Sequence, residues 1–200
     1  MADNRRELIR QEQARLKRAE RRRTVAIWGV AAAVVIAVVA TFVVTATRTV
    51  SDRPDLGAVQ TFQVTANHTS GPVRYDMEPP VGGDHRPSWL NCGIYEQAVP
   101  NEYAVHALEH GAVWVTYQPE LAADQVGTLR DALPNTYTVL SPYPGQDAPV
   151  IASAWGHQLR LDNADDPRLA EFIRTYRMGP QTPEPGAACT GGLDAPGKVA

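Results

Sequence analysis

Twenty-two consecutive uncharged residues, Val25 to Ala46 (VAIWGVAAAVVIAVVATFVVTA), set the first limit on how this chain can fold. As a helix rising 1.5 Å per residue the run spans about 33 Å, which matches a bilayer hydrocarbon core of about 30 Å. Residues 24–47 therefore read as one membrane-crossing helix. Arg-rich sequence, RAERRR from Arg18 to Arg23, precedes the run, whereas only Arg48 and Arg53 follow closely, interleaved with Asp52 and Asp55. The positive-inside rule then places residues 1–23 in the cytoplasm and everything after the helix outside. A cleaved signal peptide is the competing reading, because Val44-Thr45-Ala46 resembles a small-residue cleavage site, but signal cores run to only about 7–15 residues. The head is dense in helix-forming residues and is expected to continue the membrane helix inward, attracted to anionic lipid.

Charge divides at the same point. Residues 1–23 carry nine Arg and Lys against four Asp and Glu, whereas residues 48–200 carry ten against eighteen. An acidic body lacks the clustered cations that drive phosphate binding, so nucleic acid is not an expected partner. The expected partners are membrane lipid and another envelope protein.

After a polar linker at 48–58, residues 59–190 must form their own core, with 191–200 as a flexible tail. The two cysteines, Cys92 and Cys189, lie on the side where disulfides persist; paired, they would close a loop of nearly the whole domain. The alternative is two independent thiols. No CxxC is present to support thioredoxin-type chemistry. Periodicity suggests a strand from Val59 to His68 and an irregular, ordered loop from Gly71 to Asn91. It then suggests a short helix from Glu102 to His110, capped by Asn101 and ended by Gly111, and a buried strand over Ala112 to Tyr117. A helix at Ala123 to Leu133 precedes strands at Tyr137 to Leu140, Val150 to Trp155 and Gln158 to Asp162, whose order suggests an antiparallel meander. A last helix starts at Pro167 and runs to Tyr176. The expected class is α+β, a small, mostly antiparallel sheet with two or three helices behind one transmembrane helix.

All five histidines fall after the membrane run: His68, His85, His106, His110 and His157. His106 and His110, four apart, share a helix face at about 6 Å, a spacing used to grip a metal ion. His85, in the loop PPVGGDH, is the first choice for a third ligand, because its glycines allow close backbone approach while its prolines fix the loop. His68, Asp84 and Met77 are the alternatives. Imidazole suits Zn, Cu and Ni, while a thioether such as Met77 favours Cu(I), so the choice between Zn and Cu stays open. His106-Ala107-Leu108-Glu109-His110 also fits H-x-x-E-H, in which Glu109 would act as base on zinc-bound water. No downstream acidic ligand in a helical setting follows, so hydrolase chemistry ranks below simple binding. Glu109 has two milder uses, orienting a histidine ring or pairing with Arg74 or Arg86. No nucleophile elbow, P-loop or dinucleotide turn occurs, and no catalytic residue is assigned. The aromatic residues Trp89, Tyr95, Tyr103, Trp114, Tyr117 and Trp155 read as core or pocket walls.

Several of these pieces fall together in a familiar order. They are Tyr75, Pro79-Pro80 with Gly83 and His85, Cys92-Gly93-Ile94-Tyr95, Val105 to Val113, Tyr117, Trp155-Gly156, and Pro183-Glu184 with Cys189. Together they resemble the bacterial domain-of-unknown-function family 3105, with H-x-L-E-H-G as the most specific run. The resemblance implies a short cytoplasmic head, one membrane helix and an exported domain of no settled activity. It also implies that His85, His106, Glu109 and His110 form one site. Gly82 stands where the resemblance leads one to expect a small hydroxyl residue, and Asp84 adds a carboxylate before His85.

The sequence thus leads to an expectation of a membrane-anchored extracytoplasmic domain that binds a transition metal through His106, His110 and His85 in a non-enzymatic binding or delivery role. An envelope scaffold with structural histidines and a zinc hydrolase are the alternatives.

Overall fold

The uncharged run and the basic head form one continuous helix, α1 (Ala2–Ser51). The structure, a computed structural model, describes residues 2–51 and 53–199. Met1, Asp52 and Ala200, parts of the expected head, linker and tail, lie outside the described residues. Within α1, Arg15–Thr45 is long and apolar enough to cross a membrane. Its large side chains, Val30, Ile36 and Phe42 among them, are exposed. The helix continues through Ser51, four residues into the segment expected as linker, ahead of the helix-breaking Pro54.

Residues from Pro54 onward form a separate unit. Its elements are β1 (Gln60–Thr61), β2 (Gly93–Ile94), α2 (Asn101–Glu109), β3 (Val113–Tyr117), α3 (Ala123–Ala132), β4 (Thr138–Pro142), β5 (Val150–Ala154), β6 (His157–Leu161) and α4 (Pro167–Tyr176). The strands make one six-stranded sheet in the order β1-β6-β5-β3-β4-β2. The class is α+β, but the sheet is mixed rather than mostly antiparallel. β4 lies parallel to β3, with Val115 opposite Leu140, and β2 is parallel to β4. The expected meander is therefore real only for β5 and β6, which pair antiparallel through the turn before His157. The reason lies in α3. A helical crossover returns the chain to the start of the sheet, so the next strand runs parallel to the one before.

β3 is buried at every position, Thr116 included, because both of its faces are covered. Val113, Val115 and Tyr117 join Leu129 of α3 and Leu169, Phe172 and Ile173 of α4 in one core. Trp114 turns the other way, into a second core with Leu90, Tyr95, and Val105 and Leu108 of α2. The second core carries α2, and α2 carries the site. The expected strand over Val59 to His68 shrinks to Gln60–Thr61; beyond it the chain pairs with the loop around His85 instead of with the sheet.

Two further expectations change. Asn101 is the first residue of α2 rather than its cap, and its side chain donates to the Tyr143 hydroxyl instead. The tail beyond Gly191 does not fray: the Asn91 amide donates to the Leu193 carbonyl and the Val199 amide to Ile94. α4 matches its expected limits, with Pro167 in the first turn and Asp166 as N-cap, accepting from the Arg168 amide at 2.9 Å. Asp166→Ala is expected to lower the stability of this unit by about 1 kcal/mol, read as a shift of the denaturation midpoint at unchanged slope.

Candidate metal centre

α2 presents its functional side chains on one face because positions three and four apart on a helix stack above each other. His106, Glu109 and His110 all point from that face and all are buried. The helix ends there because Gly111 adopts φ +104, a conformation that side-chain-bearing residues avoid, and a Cβ would sit 3.0 Å from the Met178 Cα.

The irregular loop supplies the facing wall. Asn67 and Thr69 pair with His85 through its amide and carbonyl (2.9 and 2.7 Å), which sets His68 beside His85. Gly83, at φ +108, turns its carbonyl to accept from His85 Nδ1 at 2.7 Å. The rings of His68, His85 and His106 stand at the corners of a triangle, each pair of centroids 4.9 Å apart.

Their Nε2 atoms surround one carboxylate oxygen. Glu109 Oε2 lies 2.9 Å from His85, 3.6 Å from His68 and 4.0 Å from His106. The four residues offer ligand atoms that all lie within 4.8 Å of one another, a group that could hold a metal ion. Four ligands bonded tetrahedrally at about 2 Å are separated by roughly 3.3 Å, so these spacings need only small side-chain adjustments.

The ring orientations are fixed from behind. A carbonyl can only accept, so His85 Nδ1 carries the proton it gives to Gly83, and His106 Nδ1 the one it gives to Arg86 at 2.5 Å. His110 is held the same way, donating from Nδ1 to Ala188 at 2.7 Å. Each of these three rings therefore presents Nε2 to the interior, the arrangement that prepares histidine for a metal. Two contacts then join atoms that both accept in the neutral state: His85 Nε2 to Glu109 at 2.9 Å, and His106 Nε2 to His110 Nε2 at 2.9 Å. A cation, proton or metal, must sit within such pairs for them to attract.

Burial pushes the His106 imidazole down to about 4, against the opposing effect of its bond to the Arg86 carbonyl, and the neighbouring histidines add smaller effects in the downward direction. The ring is thus neutral at pH 7, as a ligand must be. A histidine with a lowered folded value stabilises the fold above its unfolded value near 6.5, and that contribution is lost as pH falls from there towards 4. Stability measured by urea denaturation is expected to decline across this window, and His106→Gln to flatten the decline.

The structure brings together His85 and His106, expected from the loop and the helix, with His68 and Glu109, which ranked behind them. His110 stands next to His106, outside the four-residue group. Asp84 and Met77 face elsewhere. Hydrogen bonds from Asn67 and Thr65 engage the Asp84 carboxylate and hold it below its usual range. Met77 lines a separate cleft of about 400 Å³ with Arg74 and Tyr75. Among the described residues no ion pair joins Glu109 to Arg74 or Arg86; Arg86 instead donates to the Ser70 carbonyl. His157 stacks on Tyr176, away from the site. Trp89, read from the sequence only as a core or pocket wall, packs its indole 5.0 Å from the His110 ring, and sequence reasoning gave no role to Glu184, 3.6 Å from His110 Nε2. Cys92 and Cys189 form the expected disulfide, with Cα atoms 5.4 Å apart.

Residues 67–191 match the family described as "Protein of unknown function (DUF3105)", so the match contains every residue of the cluster. Residues 3–63 match a second family, described as "Inhibitor of host cell division protein domain", over the basic head, the apolar helix and the chain just after it. No curated protein and no solved structure matches the chain.

Proposed function

We propose, from the premise that the chain belongs to the DUF3105 family, that it is a membrane-anchored protein whose C-terminal domain holds one divalent transition-metal ion through His68, His85, His106 and Glu109. One observation carries the reading: three imidazole nitrogens converge on one carboxylate oxygen, and main-chain carbonyls fix the orientation of two of those rings. Nitrogen and oxygen donors without sulfur suit Zn(II) or Cu(II) better than Cu(I).

Four protein ligands fill a tetrahedral set, which favours holding an ion over activating water at an open position. Glu109 lies inside that set, where it would be a ligand rather than a free base. The His68 side chain is 47% exposed, so the ion is not sealed in, and a binding or delivery role follows. An envelope protein that accepts or supplies the ion is the partner this role requires.

The location is part of the proposal. The apolar stretch Arg15–Thr45, the arginine-rich sequence before it and a disulfide in the domain after it support a cytoplasmic head and an extracytoplasmic domain at the cell membrane.

The test is elemental analysis of the full-length protein purified without a polyhistidine tag, after loading and dialysis. About one equivalent of zinc or copper is expected, and a trace in the variant carrying His85→Ala and His106→Ala. Equal, substoichiometric metal in both proteins would leave the histidines as a structural network and end the proposal.

A further inference from the structure

The cluster does not use Glu184 or His110, yet His110 touches it through His106 and Glu184 in turn touches His110. His110 is buried, its ring is fixed by the Ala188 carbonyl, and its Nε2 lies 2.9 Å from His106 Nε2. On its other contact, His110 Nε2 is 3.6 Å from Glu184 Oε2. Exposure falls steeply along this row: the Glu184 side chain is 54% exposed, that of His110 5% and that of His106 4%. The backbone holds the row in place, since the Glu184 amide donates to the Glu109 carbonyl and the Gly186 amide to the His110 carbonyl. Among the described residues, His110 is the only ion-pair partner of the Glu184 carboxylate.

We propose that Glu184, His110 and His106 form an outer position for the metal ion, through which it passes between solvent and the inner cluster. The inference rests on the metal-holding reading above. A hydrated divalent cation meets the Glu184 carboxylate first; carboxylate oxygen and His110 Nε2 displace bound water, and His106 Nε2 displaces more. His106 then stays bonded while Glu109, His85 and His68 replace Glu184 and His110. Every ligand leaves with its own lone pair and no electron is transferred. A buried site gains by this route because the ion never sheds all of its ligands at once. Taking an unpaired divalent charge into a low-dielectric interior would be far slower, since burial of a charge is costly unless it is compensated.

This position has a kinetic signature that a steering charge or an additional ligand of the final complex lacks. A stopping place on the route lowers the barrier equally in both directions, so removing it slows uptake and release together and leaves the dissociation constant unchanged. A distant attracting charge changes mainly uptake. A ligand of the final complex changes the dissociation constant.

The experiment is stopped-flow uptake of cobalt(II) by the full-length protein in detergent, and release of cobalt(II) to excess EDTA, followed by visible absorption. For Glu184→Gln both rate constants are expected to fall together by about tenfold, with a dissociation constant within about twofold of the parent. Glu184→Asp is expected to recover part of both rates. Unchanged rates in Glu184→Gln would overturn the outer position and send the ion past His68. A fall in uptake alone, or a changed dissociation constant, would overturn it as well. A parent protein that takes up no cobalt(II) would instead remove the metal-holding reading, and this inference with it.

Discussion

His106→Ala is expected to weaken zinc binding by at least about a hundredfold, because loss of a residue that merely orients a metal ligand already costs 10–100-fold and His106 is placed as a ligand itself. Stability reports the same loss. At a free zinc concentration about 100 times the dissociation constant, binding stabilises the folded parent by about 2.7 kcal/mol. In a domain of this size that corresponds to a rise in Tm of roughly 5–10 °C. The parent should show that rise on adding zinc and lose it with chelator, whereas the variant should melt at one temperature in both conditions. His106→Ala also leaves the Arg86 carbonyl without its donor, so the metal-free variant should itself melt below the metal-free parent. The difference between the two conditions isolates the metal, and His106→Gln, which retains a side-chain donor, separates packing from ligation. Asp84→Asn supplies the control: its carboxylate is engaged by Thr65 and Asn67, and zinc affinity should stay at the parent level. If His106→Ala melts the same number of degrees below the parent with chelator as with zinc, the histidines serve the fold alone.

Half of that centre could be read from residue spacing and half could not. His106, Glu109 and His110 follow from helical geometry, which any three- or four-residue interval reveals. His85 was within reach because Gly82 and Gly83 mark a backbone bent by something other than periodic structure; a Cβ on Gly82 would stand 2.5 Å from Val64. The rank of His68 was not legible. It reaches the cluster through main-chain bonds between 67–69 and His85, and such bonds carry no side-chain signature. The same limit explains the sheet. Strand positions are written in β-branched and aromatic residues, so β3, β5 and β6 could be placed, whereas the partner of β4 depends on how α3 crosses over. Glu184 illustrates the point most sharply. It lies 78 positions after His106, as the numbering gives it, in a Pro- and Gly-rich stretch whose path no periodicity predicts.

That stretch depends on a covalent anchor, and removing the anchor is expected to have the second large effect. Cys92 and Cys189 are 97 residues apart, so their bond closes a loop that contains most of the domain. In the chain-entropy account, opening a loop of this length lowers stability by about 4–5 kcal/mol, a large share of the roughly 5–15 kcal/mol that a small domain possesses. The variant carrying Cys92→Ser and Cys189→Ser should therefore unfold at a much lower urea concentration than the oxidised parent, and reduction of the parent should reproduce the shift. Metal binding by the molecules that remain folded should respond differently. The four inner ligands, His68, His85, His106 and Glu109, all precede the segment from Glu184 to Cys189, so their equilibrium affinity for zinc does not require that segment to be anchored. His110 does depend on it, through the Ala188 carbonyl one residue before the bridge. At low urea the serine variant should thus bind zinc nearly as tightly as the parent while exchanging it more slowly, since the position built on His110 and Glu184 would no longer be held in place. Equal urea midpoints for the serine variant and the oxidised parent would mean that the noncovalent contacts of this segment suffice, including Cys92 to the Cys189 carbonyl and Tyr137 to the Gly186 and Ala187 carbonyls. The bridge would then add nothing to the fold it encloses.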